Sequence, residues 1–282
     1  EGHVRWLLRR IKEIEAGEGL EVTLAPDASS MPVRVNFVET DASPGTSTAL
    51  PEGWNVSVGK SVKELDPADV MDLMSKLVKL LEGSSVSFVS LVLCDGLSPR
   101  FVAQGLQVAA MRAGEFKTKL PEYNGLVRVT IVTEEQAAEK QVVEGLDLAR
   151  TANVARWLGR LGYNQLTARH FADLIQLSFE GKEGVTLVQT DSKQEPRLQL
   201  LNAVAKGSGL PGLMSAVQID PLSGATPAVC WNGKGVVYDT GGICLKPKGG
   251  KGMCFDMVGA AAVFAALRYK LRHRAQLWRS VV

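Results

Sequence analysis

Along the first half of the chain, stretches in which apolar residues have helical spacing alternate with stretches in which every second residue is apolar, as in a strand. Residues 4–15 have the spacing of an amphipathic helix, whereas Met31–Val38 alternates polar and apolar residues as a half-buried strand does. Asp66 and Pro67 form an N-cap and a first-turn proline, and Gly83 is a natural stop for the helix that they begin. The apolar positions of this helix are Val70, Leu73, Met74, Leu77, Leu80 and Leu81.

Strand-like and helix-like stretches continue to alternate after this helix. Val86–Leu93 and Leu126–Val132 have the apolar, β-branched composition of buried strands. Ser98 begins a helix between them, and Thr133 with Gln136 forms a capping-box pattern for a helix after them. Strands separated by helices predict an α/β fold, in which helices flank a mixed, mainly parallel sheet.

The helix that Ser98 begins is expected to end at Gly114, and the second half of the chain has its own set of elements. Thr167 is the predicted N-cap of a helix. A further helix is expected around Arg197–Ala205, followed by a glycine-rich turn. The strand candidates here are Val185–Gln189, Leu213–Ile219 and Ala228–Trp231.

These elements predict three parts. Residues 1–145 form an N-terminal α/β domain, residues 146–182 a helical linker, and residues 183–282 the first part of a second α/β domain. The chain has 282 residues, of which 45% are hydrophobic, so it is long enough to bury sizeable cores.

Composition excludes several classes of protein. The formal net charge is only +2, and no run of Lys or Arg predicts a nucleic-acid partner. The four cysteines form no CxxC pair and indicate reduced thiols rather than a disulfide framework. No apolar run reaches the roughly 18 residues of a membrane span, so no membrane partner is expected. A cytoplasmic location is expected. The chain begins at Glu1 and not at a methionine, so the alternative is a mitochondrion or other organelle, if a targeting segment was removed.

Candidate chemistry is concentrated in residues 232–268. Asp239 follows a short apolar stretch, Val236–Tyr238, that predicts a strand, and Asp256 precedes a predicted helix at 257–267. Lys234 and Lys246 flank Asp239. Two carboxylates at element ends favour an oxygen-rich site for a divalent metal ion. Taken singly, each residue is more commonly a turn, cap or solvated surface residue.

Taken together, these residues resemble the leucyl aminopeptidase family of two-metal metallopeptidases. The family pattern is a Gly-Lys-Gly strand, an Asp-Ser/Thr-Gly-Gly turn, a lysine seven residues after that aspartate, and a second aspartate before a small-residue helix. The matching residues are Gly233-Lys234-Gly235, Asp239-Thr240-Gly241-Gly242, Lys246, Asp256-Met257 and Gly259-Ala260-Ala261. The resemblance implies peptide substrates, two divalent ions (Zn²⁺ or Mn²⁺) and a homo-hexamer.

The resemblance also implies a role for each residue. Lys234 would give its neutral amine to one metal ion, Asp256 would bind the same ion, and Asp239 would bridge both ions. Lys246 would bind the substrate carbonyl and stabilise its developing negative charge. Met253 would line the pocket for the first side chain of the peptide. A water of lowered pKa between the metals would attack the first peptide bond, preferably after an apolar, leucine-like residue.

Two departures from the family pattern qualify this hypothesis. The loop between Lys246 and Asp256 is one residue short near Gly250-Lys251. The family's Asn-Thr-Asp-Ala-Glu-Gly-Arg motif, which supplies further metal ligands and holds a bicarbonate-like base, does not occur before Val282. We therefore expect an incomplete catalytic domain from a longer protein. The alternative is a catalytically inactive relative that serves as a structural subunit of a larger assembly.

Other residues that commonly bind metals receive structural interpretations. His3, His170 and His273 have no metal-ligand spacing and are expected at the surface or in the core. Cys244 and Cys254 are expected to be small packing residues. The glycines at 207–212 lack the strand and helix of a dinucleotide site and predict a turn.

Overall fold

A computed structural model describes residues 2–17, 20–26, 33–59, 61–84, 86–111, 126–220, 229–240, 245–246 and 252–274. The chain divides into two compact units, Glu13–Asn153 and a second that combines Glu1–Lys12 with Val154–Val282. Both divisions fall inside helices. The predicted division into two domains and a linker remains a prediction.

The described helices and strands alternate through most of the chain. The α-helices are α1 (Gly2–Ala16), α2 (Pro67–Gly83), α3 (Pro99–Ala109), α4 (Ala138–Arg160), α5 (Ala168–Phe179), α6 (Gln199–Ala205) and α7 (Val258–Arg272). The strands are β1 (Glu21–Ala25), β2 (Arg34–Val38), β3 (Ser47–Leu50), β4 (Gly53–Ser57), β5 (Phe88–Val92), β6 (Arg128–Val132), β7 (Val185–Asp191) and β8 (Leu213–Ile219). Short 3-10 helices occupy Val62–Glu64, Pro196–Leu198, Lys206–Ser208 and Met253–Phe255.

The unit Glu13–Asn153 is built on a six-stranded mixed sheet in the order β1-β6-β5-β2-β4-β3. All neighbouring strands are parallel except β3, which pairs antiparallel with β4 at one edge. This sheet confirms the predicted α/β class. Helix α2 lies between β4 and β5 and helix α3 between β5 and β6, which is the kind of connection that parallel strands need, whereas β2 and β4 are parallel with only β3 between them in the chain.

The two faces of this sheet differ in polarity, because neighbouring residues of a strand point to opposite sides. One face carries buried apolar residues such as Val35, Leu91 and Ile131, which belong to the same core as residues of α2 and α3. The other face carries polar pairs. The Thr23 and Thr130 hydroxyls lie 2.9 Å apart, and Asn36 donates from Nδ2 to Oδ1 of Asn55 at 3.1 Å.

Helix α2 forms as its sequence predicts. The Asp66 carboxylate accepts from the backbone N–H groups of Ala68 and Asp69, and Asp69 accepts in return from the N–H of Asp66. These bonds satisfy amides that have no partner within the helix. Gly83 is the last helical residue and Ser84 is the C-cap. The predicted apolar positions are buried, apart from the half-buried Leu80.

Two helix bounds in this unit differ from the prediction. Helix α4 begins at Ala138, because the Thr133 hydroxyl accepts from the N–H of Glu135 and so stabilises a turn instead of capping a helix. Helix α3 ends at Ala109, whereas its predicted stop, Gly114, lies outside the described residues.

The second unit contains an antiparallel pair, β7 and β8, together with α5 and α7. Phe264 of α7 meets Phe171 and Phe179 of α5 edge-on, with ring centroids 5.7 and 5.9 Å apart. Arg274, just beyond α7, donates to the carbonyls of Asp220 and Glu183 beside the strand pair. These contacts fix α7 against the elements that precede it in the chain.

The chain between β8 and α7 is less regular than the sequence predicts. Residues 229–240 form no strand. The prediction of a strand at Val236–Tyr238 is therefore wrong, and so is the prediction at Ala228–Trp231 for its described residues. Ala228 itself lies outside the described residues. A strand needs a neighbour for its backbone groups, and the carbonyl of Lys234 instead accepts from the N–H of Ala260 in α7. None of the described helices combines the length and the apolar composition that a membrane crossing requires.

Candidate metal and substrate site

The backbone around Lys234 lies directly on the first turn of α7. A Cβ on Gly233 would lie 2.6 Å from the Cα of Ala260 and 2.7 Å from the carbonyl oxygen of Gly259, so no larger residue fits without a shift. The Lys234 carbonyl then accepts from the N–H of Ala260 at 3.0 Å. This bond satisfies one of the amides that the start of a helix leaves free. The side chain of Lys234 is thereby placed beside Asp256.

Lys246 connects two of the other predicted site residues. Its Nζ donates to Oδ2 of Asp239 at 2.6 Å and to Sδ of Met253 at 3.1 Å. Its backbone N–H donates to the carbonyl of Thr240 at 3.1 Å. Both the main chain and the side chain of Lys246 therefore fix the end of the stretch that carries Asp239.

Asp256 lies opposite Lys234, with its Oδ2 atom 3.8 Å from Nζ of that lysine. The sequence placed this aspartate directly at the start of a helix. It is instead the C-cap of the 3-10 helix Met253–Phe255, and its N–H donates to the carbonyl of Met253. Helix α7 begins two residues later, at Val258. The extra turn brings Met253 to Lys246 and Asp256 to Lys234.

The donor set suits a divalent cation. Two atoms that bind one zinc ion lie at most roughly 4.3 Å apart, and Lys234 Nζ and Asp256 Oδ2 satisfy this limit at 3.8 Å. Asp239 adds a second carboxylate, and of the roughly four lone-pair sites of a carboxylate the bond to Lys246 uses one. No three His, Cys, Asp or Glu side chains gather as a cation site in the described ranges.

Parts of the predicted motif lie outside the described residues, namely Gly241, Gly242, Cys244, Gly250 and Lys251. Cys254 is described, and its thiol is reduced and half-buried. Of the histidines, His3 and His170 lie together, with ring centroids 5.0 Å apart, and both contact the carbonyl of Gln165. His273 stacks against Tyr269.

The sequence did not point to Tyr163 or to the role of Gly233. Tyr163 lies in the turn between α4 and α5, and its ring contacts Tyr238, the residue before Asp239. A tyrosine pair separated by this much sequence has no local signature. For Gly233, the signal that the sequence offers is the pair of glycines on either side of Lys234, which leave room for a neighbouring backbone.

Comparison of the sequence with known proteins finds similar peptidases. Residues 153–279 match the profile of the cytosol aminopeptidase family, catalytic domain. A probable cytosol aminopeptidase of Chloroherpeton thalassium is 30% identical over 276 residues, which cover 92% of this chain and 54% of the relative. A second, of Chromohalobacter salexigens, is 32% identical over 187 residues, covering 60% of this chain and 35% of the relative. The chain thus spans about half, or less, of the length of these curated relatives.

Comparison with solved structures finds enzymes with a similar fold. A bottromycin maturation enzyme, BotP, solved in complex with Mn, is 26% identical with a TM-score of 0.67, and the match covers 86% of this chain and 56% of that one. A mutant tomato leucine aminopeptidase shares the fold at 16% identity, with a TM-score of 0.66 over 90% of this chain and 60% of that one. The motif and both comparisons therefore support the cytosol aminopeptidase family, to whose catalytic domain residues 153–279 are similar.

Proposed function

We propose that this chain carries one metal-binding half of a metallo-aminopeptidase site, which releases N-terminal residues from peptides. The observation that carries the proposal is the pairing of the four motif residues, Lys246 with Asp239 and Lys234 with Asp256. A family of peptidases with this motif and a structural relative solved with Mn support it.

Each side chain has a role that suits its surroundings. Lys234 and Asp256 would hold one cation, and Asp239 would bridge it to a second. The ammonium of Lys246 has three N–H groups, of which one is directed to Asp239 and one to Met253. The third can donate to the carbonyl oxygen of a peptide and stabilise its negative charge during attack. When bound, the metal ions would supply a water that is nucleophilic at neutral pH.

The finer details belong to the same proposal. Met253 contacts the Lys246 amine and offers a flexible apolar surface, which favours leucine-like first residues. The ligand set of one amine and two carboxylates suits Zn²⁺ or Mn²⁺. A bicarbonate-like base, a homo-hexamer and a cytoplasmic location complete the hypothesis.

A second candidate is an inactive member of the family that acts as a structural subunit. The observation in its favour is that each motif carboxylate is within ion-pair distance of a lysine, which gives both pairs a structural role without any metal. The two candidates differ in one property, because only the enzyme requires cations at Asp239 and Asp256.

The test measures hydrolysis of leucine amide by the whole natural protein with added Mn²⁺ or Zn²⁺. Replacing Lys246→Met should lower kcat by roughly a hundredfold to a thousandfold, because a donor to the developing oxyanion is lost. Lys182→Met removes an exposed lysine of the same unit and should leave kcat unchanged. Undetectable hydrolysis by the metal-loaded protein, or equal kcat values for Lys246→Met and wild type, would count against the enzyme.

A further inference from the structure

A tyrosine outside the predicted site contacts the stretch that carries Asp239. The rings of Tyr163 and Tyr238 have centroids 4.9 Å apart and planes inclined at 42°. Tyr238 directly precedes Asp239, whose carboxylate accepts from Lys246. The contact therefore acts on the backbone one residue away from a predicted metal ligand.

Tyr163 projects from a turn that is itself well fixed. The N–H groups of Gln165 and Leu166 both donate to the carbonyl of Gly162, at 2.8 and 2.9 Å. The carbonyl of Gln165 in turn lies 2.7 Å from Nε2 of His3 in α1 and 3.1 Å from Nδ1 of His170 in α5. Two helices thus hold this turn, which makes Tyr163 a rigid support although its ring is 56% exposed.

The stretch that Tyr163 contacts has no strand to fix it. Two backbone bonds join it to the site elements, because the carbonyl of Lys234 accepts from the N–H of Ala260 and the carbonyl of Thr240 accepts from the N–H of Lys246. Tyr238 lies between these two points. A ring packed against Tyr238 restrains the part of the stretch where Asp239 must be positioned.

We propose that Tyr163 is a positioning residue of the candidate site. Its ring holds Tyr238, and through Tyr238 it fixes the backbone of Asp239 where the carboxylate meets Lys246. The consequence for metal binding rests on the proposed function, whereas the restraint on residues 232–240 does not.

Hydrogen exchange measured by mass spectrometry tests the restraint without any metal. In Tyr163→Ala, the amides of residues 232–240 should exchange roughly twofold to twelvefold faster, since an aromatic pair is lost. Tyr163→Phe keeps the ring and should exchange as wild type does. Phe88→Ala is the matched control, because this 51% exposed ring in the other unit also lies against a partner, Arg128. Exchange in residues 232–240 that is the same in Tyr163→Ala and wild type overturns the proposal.

Titration with Mn²⁺ alone then separates this inference from the proposed function. Tyr163→Ala should bind Mn²⁺ more weakly, and Tyr163→Phe and Phe88→Ala should bind it as wild type does. Faster exchange with unchanged Mn²⁺ affinity overturns the positioning role. Faster exchange in a chain whose wild type binds no Mn²⁺ supports the restraint by Tyr163 and overturns the metal-dependent function.

Discussion

The two lysines of the candidate site have different surroundings. The side chain of Lys234 is 59% exposed, and its amine lies 3.8 Å from Asp256, beyond hydrogen-bond distance. Lys246 is held at 2.6 Å by Asp239 and contacts Met253. An accessible amine suits a ligand that must meet a cation, and a restrained ammonium suits a donor that must meet one substrate atom. This difference supports the two roles proposed for Lys234 and Lys246.

Cys94 offers a prediction about a single side chain. Burial, reinforced by the nearby charges of Glu39 and Asp95, raises the pKa of this thiol above its usual value of 9.0. Because the thiolate is the reactive form, iodoacetamide should alkylate Cys94 more slowly than the exposed Cys230. The pH at which Cys94 reaches half of its maximal labelling rate should also fall when the protein is unfolded in urea.

The sign of this shift also concerns stability. The folded state favours the neutral thiol, and the unfolded chain ionises at a lower pH. Cys94 therefore lowers the free energy of unfolding only as the pH rises past the usual pKa of a thiol. Mass spectrometry of the labelled peptides gives the rate for each cysteine. Equal alkylation rates for Cys94 and Cys230 in the folded protein would contradict the burial of Cys94.

At the scale of elements, the start of α7 organises the site. The preceding 3-10 helix ends at Phe255 with Asp256 as its C-cap, and the first turn of α7 binds the backbone of Lys234. The sequence predicted both the helix and the motif residues but missed the intervening turn. A 3-10 helix of three residues has little periodicity of its own, so only packing reveals it.

Gly233 tests the contact between these elements. Gly233→Ala places a methyl group within 3.0 Å of the backbone of Gly259 and Ala260, so the stretch must move away from α7. We expect a loss of roughly 1–3 kcal/mol in unfolding free energy, measured with urea, and weaker Mn²⁺ binding.

Gly235→Ala is the matched control for this substitution. A Cβ at Gly235 would lie 3.5 Å from the Cβ of Ala260, an ordinary van der Waals contact. Gly235→Ala should therefore lower the free energy of unfolding much less than Gly233→Ala does. Similar losses for the two substitutions would show that the close approach at Gly233 does not stabilise the structure.

At the scale of the whole molecule, the candidate site belongs entirely to one of the two units. The unit Glu13–Asn153 has its own sheet and core, and none of the motif residues lies in it. A ligand that binds only the folded state stabilises that state by RT ln(1 + L/Kd), where L is the free ligand concentration. The two units should therefore respond differently to a metal ion.

Hydrogen exchange with and without Mn²⁺ measures this difference. Mn²⁺ should slow exchange in residues 229–240 and 252–274 and leave the strand Phe88–Val92 unchanged. At a hundredfold excess over Kd, the stabilisation should reach about 2.7 kcal/mol. The double variant Asp239→Asn/Asp256→Asn should show no such slowing. Equal slowing in both units, or slowing that persists in the double variant, would place the cation elsewhere.

The sequence by itself determined the α/β class, the cap of α2, the strand Leu213–Ile219 and the identity of the motif residues. Periodicity and capping act within a few residues, and the motif lies within one short stretch, so these features are local. Tertiary structure alone decided the strand order, the missing strand at Val236–Tyr238 and the contact of Tyr163 with Tyr238. Each of these depends on which distant backbone or ring occupies the neighbouring space, and no local pattern encodes that choice.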